Sequence, residues 1–178
     1  PFHPSFDRRY LTDRRIDYLI GSCHFIDGWG FDNPENLHGF DDRDIDRVYS
    51  DYFTILEQLA ASGAFNIIGH FDLVKKFGHR PRSDFGASVR RIARECAARN
   101  VAVEINTSGL RKPVREMYPA AEILTILFDE NVPLALGSDA HNADEVAYGF
   151  DLAVDAARAA GYRRISGFSG RRRYDIPL

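Results

Sequence analysis

Cysteine is nearly absent from this sequence: Cys23 and Cys96 are the only two, they lie far apart, and they form no C-x-x-C pair. That excludes a thiolate zinc cluster and a disulfide scaffold, and it makes the reducing cytoplasm the expected compartment. Long apolar runs are lacking too. The longest, 123–128 and 132–136, fall far short of the roughly 20 residues that cross a bilayer, so no membrane partner is expected. Neither sign of charge dominates: 23 Lys and Arg stand against 26 Asp and Glu, for a net charge of -3 and a pI near 6.1. Such a balance argues against a nucleic-acid partner held by non-specific electrostatics. No G-x-G-x-x-G or G-x-x-x-x-G-K-[ST] turn follows any apolar run, which lowers the nucleotide-binding version of a doubly wound sheet. Internal repeats and low-complexity segments are missing. The only methionine is Met117 and the first residue is Pro1, so the chain is expected to begin within a longer protein.

What is present suits one packed domain. The 178 residues are 44% hydrophobic and 28% charged with a mean hydropathy of -0.32, which is ordinary for a globular core of this size. Ile45, Val48, Tyr49, Tyr52, Phe53, Leu56, Leu59 and Ala60 recur at helical spacing, after the N-cap candidates Asp41 and Asp42 and before Gly63. A second helix is predicted over 83–100, with Cys96 on its buried face as inert packing, and two more over 120–130 and 144–160. Between them lie apolar runs of strand length at 17–21, 65–69, 101–105, 132–137 and, more weakly, 165–168. Alternation of strand and helix argues for parallel strands with helical crossovers, and the missing nucleotide turns favour a (β/α) barrel over a doubly wound sheet. The basic run Arg171 to Arg173 reads as a solvated C-terminal flank.

Polar residues gather where each run ends: Gly21-Ser22-Cys23-His24, Gly69-His70-Phe71-Asp72, Glu104-Ile105-Asn106-Thr107 and Gly137-Ser138-Asp139-Ala140-His141. In a (β/α) barrel the strand C-termini carry the active site, so these residues are expected to converge. Asp139 and His141, two apart in an extended segment, would project to one face and share a metal. A carboxylate and an imidazole suit zinc, iron or manganese, and His24 and His70 extend the set. Basic groups follow in Lys75-Lys76-Phe77-Gly78-His79-Arg80 and Gly109-Leu110-Arg111-Lys112-Pro113, which points to phosphate as guest. His3, His38 and His79 read as surface or loop residues, and the segment 27–34 as a rim over the site.

Taken together, these four strand-end motifs, with Lys75-Lys76-Phe77-Gly78-His79-Arg80 and Asn106-Thr107-Ser108-Gly109-Leu110-Arg111, resemble the polymerase and histidinol phosphatase (PHP) family, in its histidinol-phosphatase branch. The resemblance implies a distorted seven-stranded (β/α) TIM-like barrel with two or three divalent ions. It further implies hydrolysis of a small phosphate ester, L-histidinol phosphate, to L-histidinol and phosphate in histidine biosynthesis. Carried over residue by residue, it makes His24, His70, Asp139 and His141 metal ligands, Asp139 and His141 the catalytic residues, and Arg80 and Arg111 phosphate contacts. The family also begins with an H-x-H element, a further His and a bridging Glu that have no counterpart here. Residues 1–178 are therefore expected to form a single metallohydrolase domain that is incomplete at its N-terminus, resembling the last two thirds of the family. Two rival readings keep the fold: a phosphoesterase acting on another ester or a nucleic-acid end, and a metal-binding module without catalysis.

Overall fold

The computed structural model describes residues 7–178; His3 lies outside them. Four α-helices form where the apolar spacing places them: α1 (Ile45–Ala61), α2 (Gly86–Ala98), α3 (Ala121–Asp129) and α4 (Phe150–Ala159). In α1 the stripe Val48, Tyr49, Tyr52, Phe53, Leu56 and Ala60 is buried. Its N-cap is Asp44 rather than Asp41 or Asp42, because the Asp44 carboxylate accepts from the Arg47 amide at 3.0 Å. Cys96 sits in the buried stripe of α2 with Val89, Ile92 and Ala93, and burial pushes its thiol up to about 12. Helix α4 starts at Phe150 and not at 144, since Ala147 and Gly149 adopt left-handed backbone at φ 58 and 68. No helix among the described residues is long and apolar enough to cross a membrane.

Strands β1 (Ile20–Gly21), β2 (Ile67–Ile68), β3 (Ala102–Asn106) and β4 (Leu134–Gly137) pair in parallel, in that order, into one sheet. Helices α1, α2 and α3 are the three crossovers, which is what parallel neighbours require. Alternation along the strands divides the sheet's two faces. Ile68, Val103 and Leu134 enter the main core beneath the helices, whereas Ile67, Ala102 and Ala135 form a small cluster with Phe168 on the other face.

The fifth predicted strand departs from expectation. Strand β5 (Arg164–Ser169) pairs antiparallel with β6 (Arg172–Pro177), and this hairpin is a separate sheet. Gly170 and Arg171, its two turn residues, have φ 54 and 67, the doubly positive backbone that a two-residue hairpin of primed type demands. The run Arg171 to Arg173 is thus no solvated flank. The Arg171 guanidinium donates to the carbonyls of Tyr10 and Ile16 and to Asn66 Oδ1, and Arg173 binds Asn100 and Asp175.

A buried ion pair fixes the loop after β2. Lys75 Nζ lies 2.8 Å from Asp72 Oδ2 and donates to the Met117 carbonyl at 2.9 Å, with both side chains almost wholly enclosed. Asp72 also accepts from the Ala120 amide at 3.0 Å, so the pair joins this loop to the segment leading into α3. Removing one partner leaves an uncompensated buried charge. Lys75→Met is expected to lower the unfolding free energy by roughly 3–5 kcal/mol, measured by urea denaturation; a midpoint equal to the parent's would show that the pair carries no such weight.

Candidate active site

Parallel pairing puts the C-terminal ends of β1 to β4 side by side, and the polar strand-end residues follow from that topology. The rings of His24 and His70 meet edge to face with centroids 4.9 Å apart. His24 Nδ1 lies 3.1 Å from Asp32 Oδ2, and Asp32 is also approached by Lys76. Burial raises the Asp32 carboxyl, but His24 and Lys76 outweigh it and hold the group below the usual carboxylate range. The 27–34 segment, expected as a rim, thus brings Asp32 beside His24.

His70 is buried, and its backbone is left-handed at φ 26. Its Nδ1 has no hydrogen-bond partner. Burial, with the neighbouring His24 second, pushes its pKa down to about 4, which keeps the imidazole neutral, the state in which it ligates metal. A cleft of about 280 Å³ opens beside it, lined also by Ser22, Glu104, Asn106, Gly137 and Asp139. Glu104 is a buried carboxylate that burial raises above its ordinary value, against hydrogen bonds from Asn106 and the His70 amide.

Asp139 and His141 come together for a different reason than the one expected. Strand β4 stops at Gly137, and Asp139 is left-handed at φ 48, so the two side chains meet across a turn, with His141 Nε2 3.8 Å from Asp139 Oδ1. Non-glycine residues in this backbone region cluster at functional sites because the surrounding structure must hold them there. Both His70 and Asp139 qualify. The four expected ligands thus stand at one end of the sheet as two close pairs. Among the described residues, no three or more His, Cys, Asp or Glu side chains are drawn together into a group that could hold a metal ion. The donors individually suit a divalent ion, and the unpartnered buried Nδ1 of His70 is the clearest sign of one.

The two arginines part company. Arg111 Nη2 donates to the Ser138 carbonyl at 2.9 Å and lies 3.3 Å from Glu145 Oε2, while its Nη1 is buried without a partner beside the Asp139 turn. Arg80 pairs with Glu116 at 2.5 Å and lines other clefts, one of them shared with Tyr49, Asp72 and Lys75. His38 lies exposed in the 3-10 turn Pro34–Phe40, and His79 stacks on Phe40 at 4.0 Å. Two residues were given no role of their own in the sequence: Asp32, inside a stretch rich in turn formers and read only as part of a rim, and Glu104, noted at its strand end as a carboxylate within an otherwise apolar run.

With that geometry in view, comparison with known proteins is informative. The family described as PHP domain matches residues 8–108, more than half of the chain. The chain belongs to the PHP domain family. A protein of Deinococcus radiodurans named "Probable histidinol-phosphatase" is 40% identical over 169 residues, covering 93% of this chain and 64% of that protein. The histidinol-phosphatase of Bacillus subtilis is 30% identical over 120 residues, covering 62% of this chain and 45% of its own length. Among solved structures, histidinol phosphate phosphatase from Lactococcus lactis, complexed with zinc, L-histidinol and phosphate, superposes with a TM-score of 0.77 at 20% identity, covering 94% of this chain and 65% of that one. That likeness shows the fold. The PHP chain described here spans less than two thirds of the length of each of these proteins.

The loop carrying Arg111 depends on a close backbone approach. Asn106 and Tyr118 exchange backbone hydrogen bonds, and a Cβ at Gly109 would fall 1.9 Å from the Glu116 carbonyl oxygen. Gly109→Ala should therefore destabilise the chain by roughly 1–3 kcal/mol. An unchanged urea midpoint would mean that this loop rearranges freely.

Proposed function

We propose that this chain, within its PHP-family protein, hydrolyses L-histidinol phosphate to L-histidinol and phosphate with the help of two or three divalent ions: zinc, iron or manganese. The observation that carries the reading is the 40% identity over 169 residues to the Deinococcus relative, supported by the zinc, L-histidinol and phosphate bound to the Lactococcus neighbour. His24, His70, Asp139 and His141 are the residues that would hold the ions. When bound, such ions supply Lewis acidity toward the phosphoryl oxygens and toward water.

The chain's own groups do the rest. Arg111 is gripped at Nη2 by the Ser138 carbonyl while Nη1 has no protein partner, so its guanidinium is already held in place with a donor left over for a phosphate oxygen. Arg80 becomes a second phosphate contact by exchanging Glu116 for substrate oxygens, a switch that its half-exposed position permits. Asp139 accepts the proton of the attacking water and returns it to the histidinol oxygen as the phosphorus–oxygen ester bond breaks, while the imidazole of His141 faces that carboxylate across the turn, its Nε2 3.8 Å from Oδ1. The four parallel strands belong, in this reading, to a TIM-like barrel that a preceding segment with further ligands completes. The outer edge of β1 has no strand partner among the described residues, and Tyr18 and Ile20 stand exposed there.

Phosphate release from L-histidinol phosphate at saturating zinc or manganese, abolished by chelator, is the decisive measurement. Its absence, in the chain alone and in a version extended by the preceding segment, would leave a metal-binding module without catalysis. Arg111→Ala is expected to lower kcat/KM by about 100-fold at unchanged metal content, in keeping with roughly 1.5–3 kcal/mol for a hydrogen bond to a charged group. Lysine at 111 restores only part, lacking the guanidinium fork. Values equal to the parent's for both Arg80→Ala and Arg111→Ala would remove the arginines from the site.

A further inference from the structure

The end of β3 carries three polar side chains, Glu104, Asn106 and Ser108, that are buried where an apolar strand would be simplest. Their hydrogen bonds run in one continuous line. Glu104 Oε2 accepts from the His70 amide at 3.1 Å and from Asn106 Nδ2 at 2.7 Å. Asn106 Oδ1 accepts from Ser108 twice, at 3.0 Å from its amide and at 2.7 Å from its hydroxyl. That hydroxyl has a single proton, which it shares between Asn106 Oδ1 at 2.7 Å and a second, longer acceptor, Asp139 Oδ2 at 3.3 Å. The line begins at the backbone of one proposed ligand, at the end of β2, and finishes on the carboxylate of another, beyond β4. Both of those residues hold left-handed backbone that needs outside support. The space for it is also provided: a Cβ at Gly137 would come within 1.8 Å of Glu104 Oε1, so the glycine opening the Gly-Ser-Asp-Ala-His motif is what admits the carboxylate.

We infer that Glu104, Asn106 and Ser108 are positioning residues that set His70 and Asp139 at the spacing a divalent ion requires. The inference rests on the proposed metal-dependent phosphatase reading and adds a function for three side chains to which that reading gives none. Glu104 acts as a double hydrogen-bond acceptor and not through its charge. Partners of this kind, one step removed from the metal, typically account for 10–100-fold in metal affinity or activity.

The test compares Glu104→Ala, Glu104→Gln and Ser108→Ala with the parent full chain. Three quantities are read: zinc affinity by competition with a chromophoric chelator, kcat and KM on L-histidinol phosphate, and the thermal midpoint. Glu104→Ala and Ser108→Ala should weaken zinc binding and lower kcat by 10–100-fold, with KM within about twofold of the parent. Glu104→Gln should recover most of the loss, because its amide oxygen still accepts from the His70 amide and from Asn106. Zinc affinity and kcat equal to the parent's in Ser108→Ala and Glu104→Ala would overturn the inference. So would a Glu104→Gln chain as impaired as Glu104→Ala, since the negative charge would then be what matters, or a parent that binds no zinc. If Glu104→Ala fails to fold, Glu104→Gln and Ser108→Ala still decide. A parent that binds zinc but does not turn over histidinol phosphate refutes the substrate, and the zinc affinities of the variants then judge the positioning role independently.

Discussion

A carboxylate cannot be buried without partners, and Glu104 is buried. Desolvating an ionised group is so unfavourable that the structure around it must supply donors or leave it protonated. The donors it takes are the amide of His70 and the side-chain amide of Asn106. Much of the local architecture follows from that requirement. The chain after β2 must turn so that an N–H points back at β3, which places His70 in left-handed backbone; position 137 on the neighbouring strand must lack a side chain. The ends of β2 and β3 are thereby tied through one acceptor, with β4 packed against it at Gly137.

The loops beyond these strand ends are fastened to one another before any ligand arrives. Lys75 and Asp72 tie the loop after β2 to the segment 116–120, and the paired backbone bonds of Asn106 and Tyr118 close the loop after β3 on the same segment. The loop after β4 is held separately, by Arg111 through the Ser138 carbonyl and Glu145 and by the bond from the Ala147 amide to Ser138 Oγ. Side chains fixed in this way lose little freedom when they engage a ligand, which is the physical content of a preorganised site.

How much of this the sequence displayed depends on the range of the interaction. Helices α1 to α3 and the four parallel strands were legible because apolar spacing and caps are local signals. That His24, His70, Asp139 and His141 gather at one end of the sheet was legible because polar residues in strand-end positions are conspicuous against apolar runs. The β5–β6 hairpin was hidden: its turn is Gly170 followed by Arg171, and arginine gives no hint of the positive φ it adopts. The meeting of Asp139 with His141 was foreseen on the wrong geometry: the run was expected to end at 137, but nothing local announces that Asp139 then turns left-handed instead of staying extended. Glu104 and Asp32, though inside segments that were noted, carried no role of their own for a related reason. Glu104 is tied to His70, 34 residues away in sequence, and Asp32 is hidden among turn residues whose composition alone suggests a loop.

Charge near the site is arranged in pairs, and the pairs differ in how easily they can be undone. Lys75 is enclosed with Asp72, its side chain only 1% exposed; separating them would strand two charges in a dry interior, so this lysine is committed to structure. Lys76 and Asp32 are linked more loosely, through a carbonyl bond and a longer ion pair of 3.7 Å. The Glu116 carboxylate facing Arg80 and the Glu145 carboxylate facing Arg111 are both partly exposed, and a pair in contact with water is held by about 1 kcal/mol or less. A phosphate dianion brings more charge and a matching fork geometry to a guanidinium than one carboxylate does. On the proposed reading, the two arginines would exchange a carboxylate for phosphate while the buried lysine stays with its partner. A chain of net charge -3 in this way pairs these loop cations with carboxylates and exposes no unbalanced positive patch there, and on the proposed reading recognition of the anion becomes a local exchange of partners.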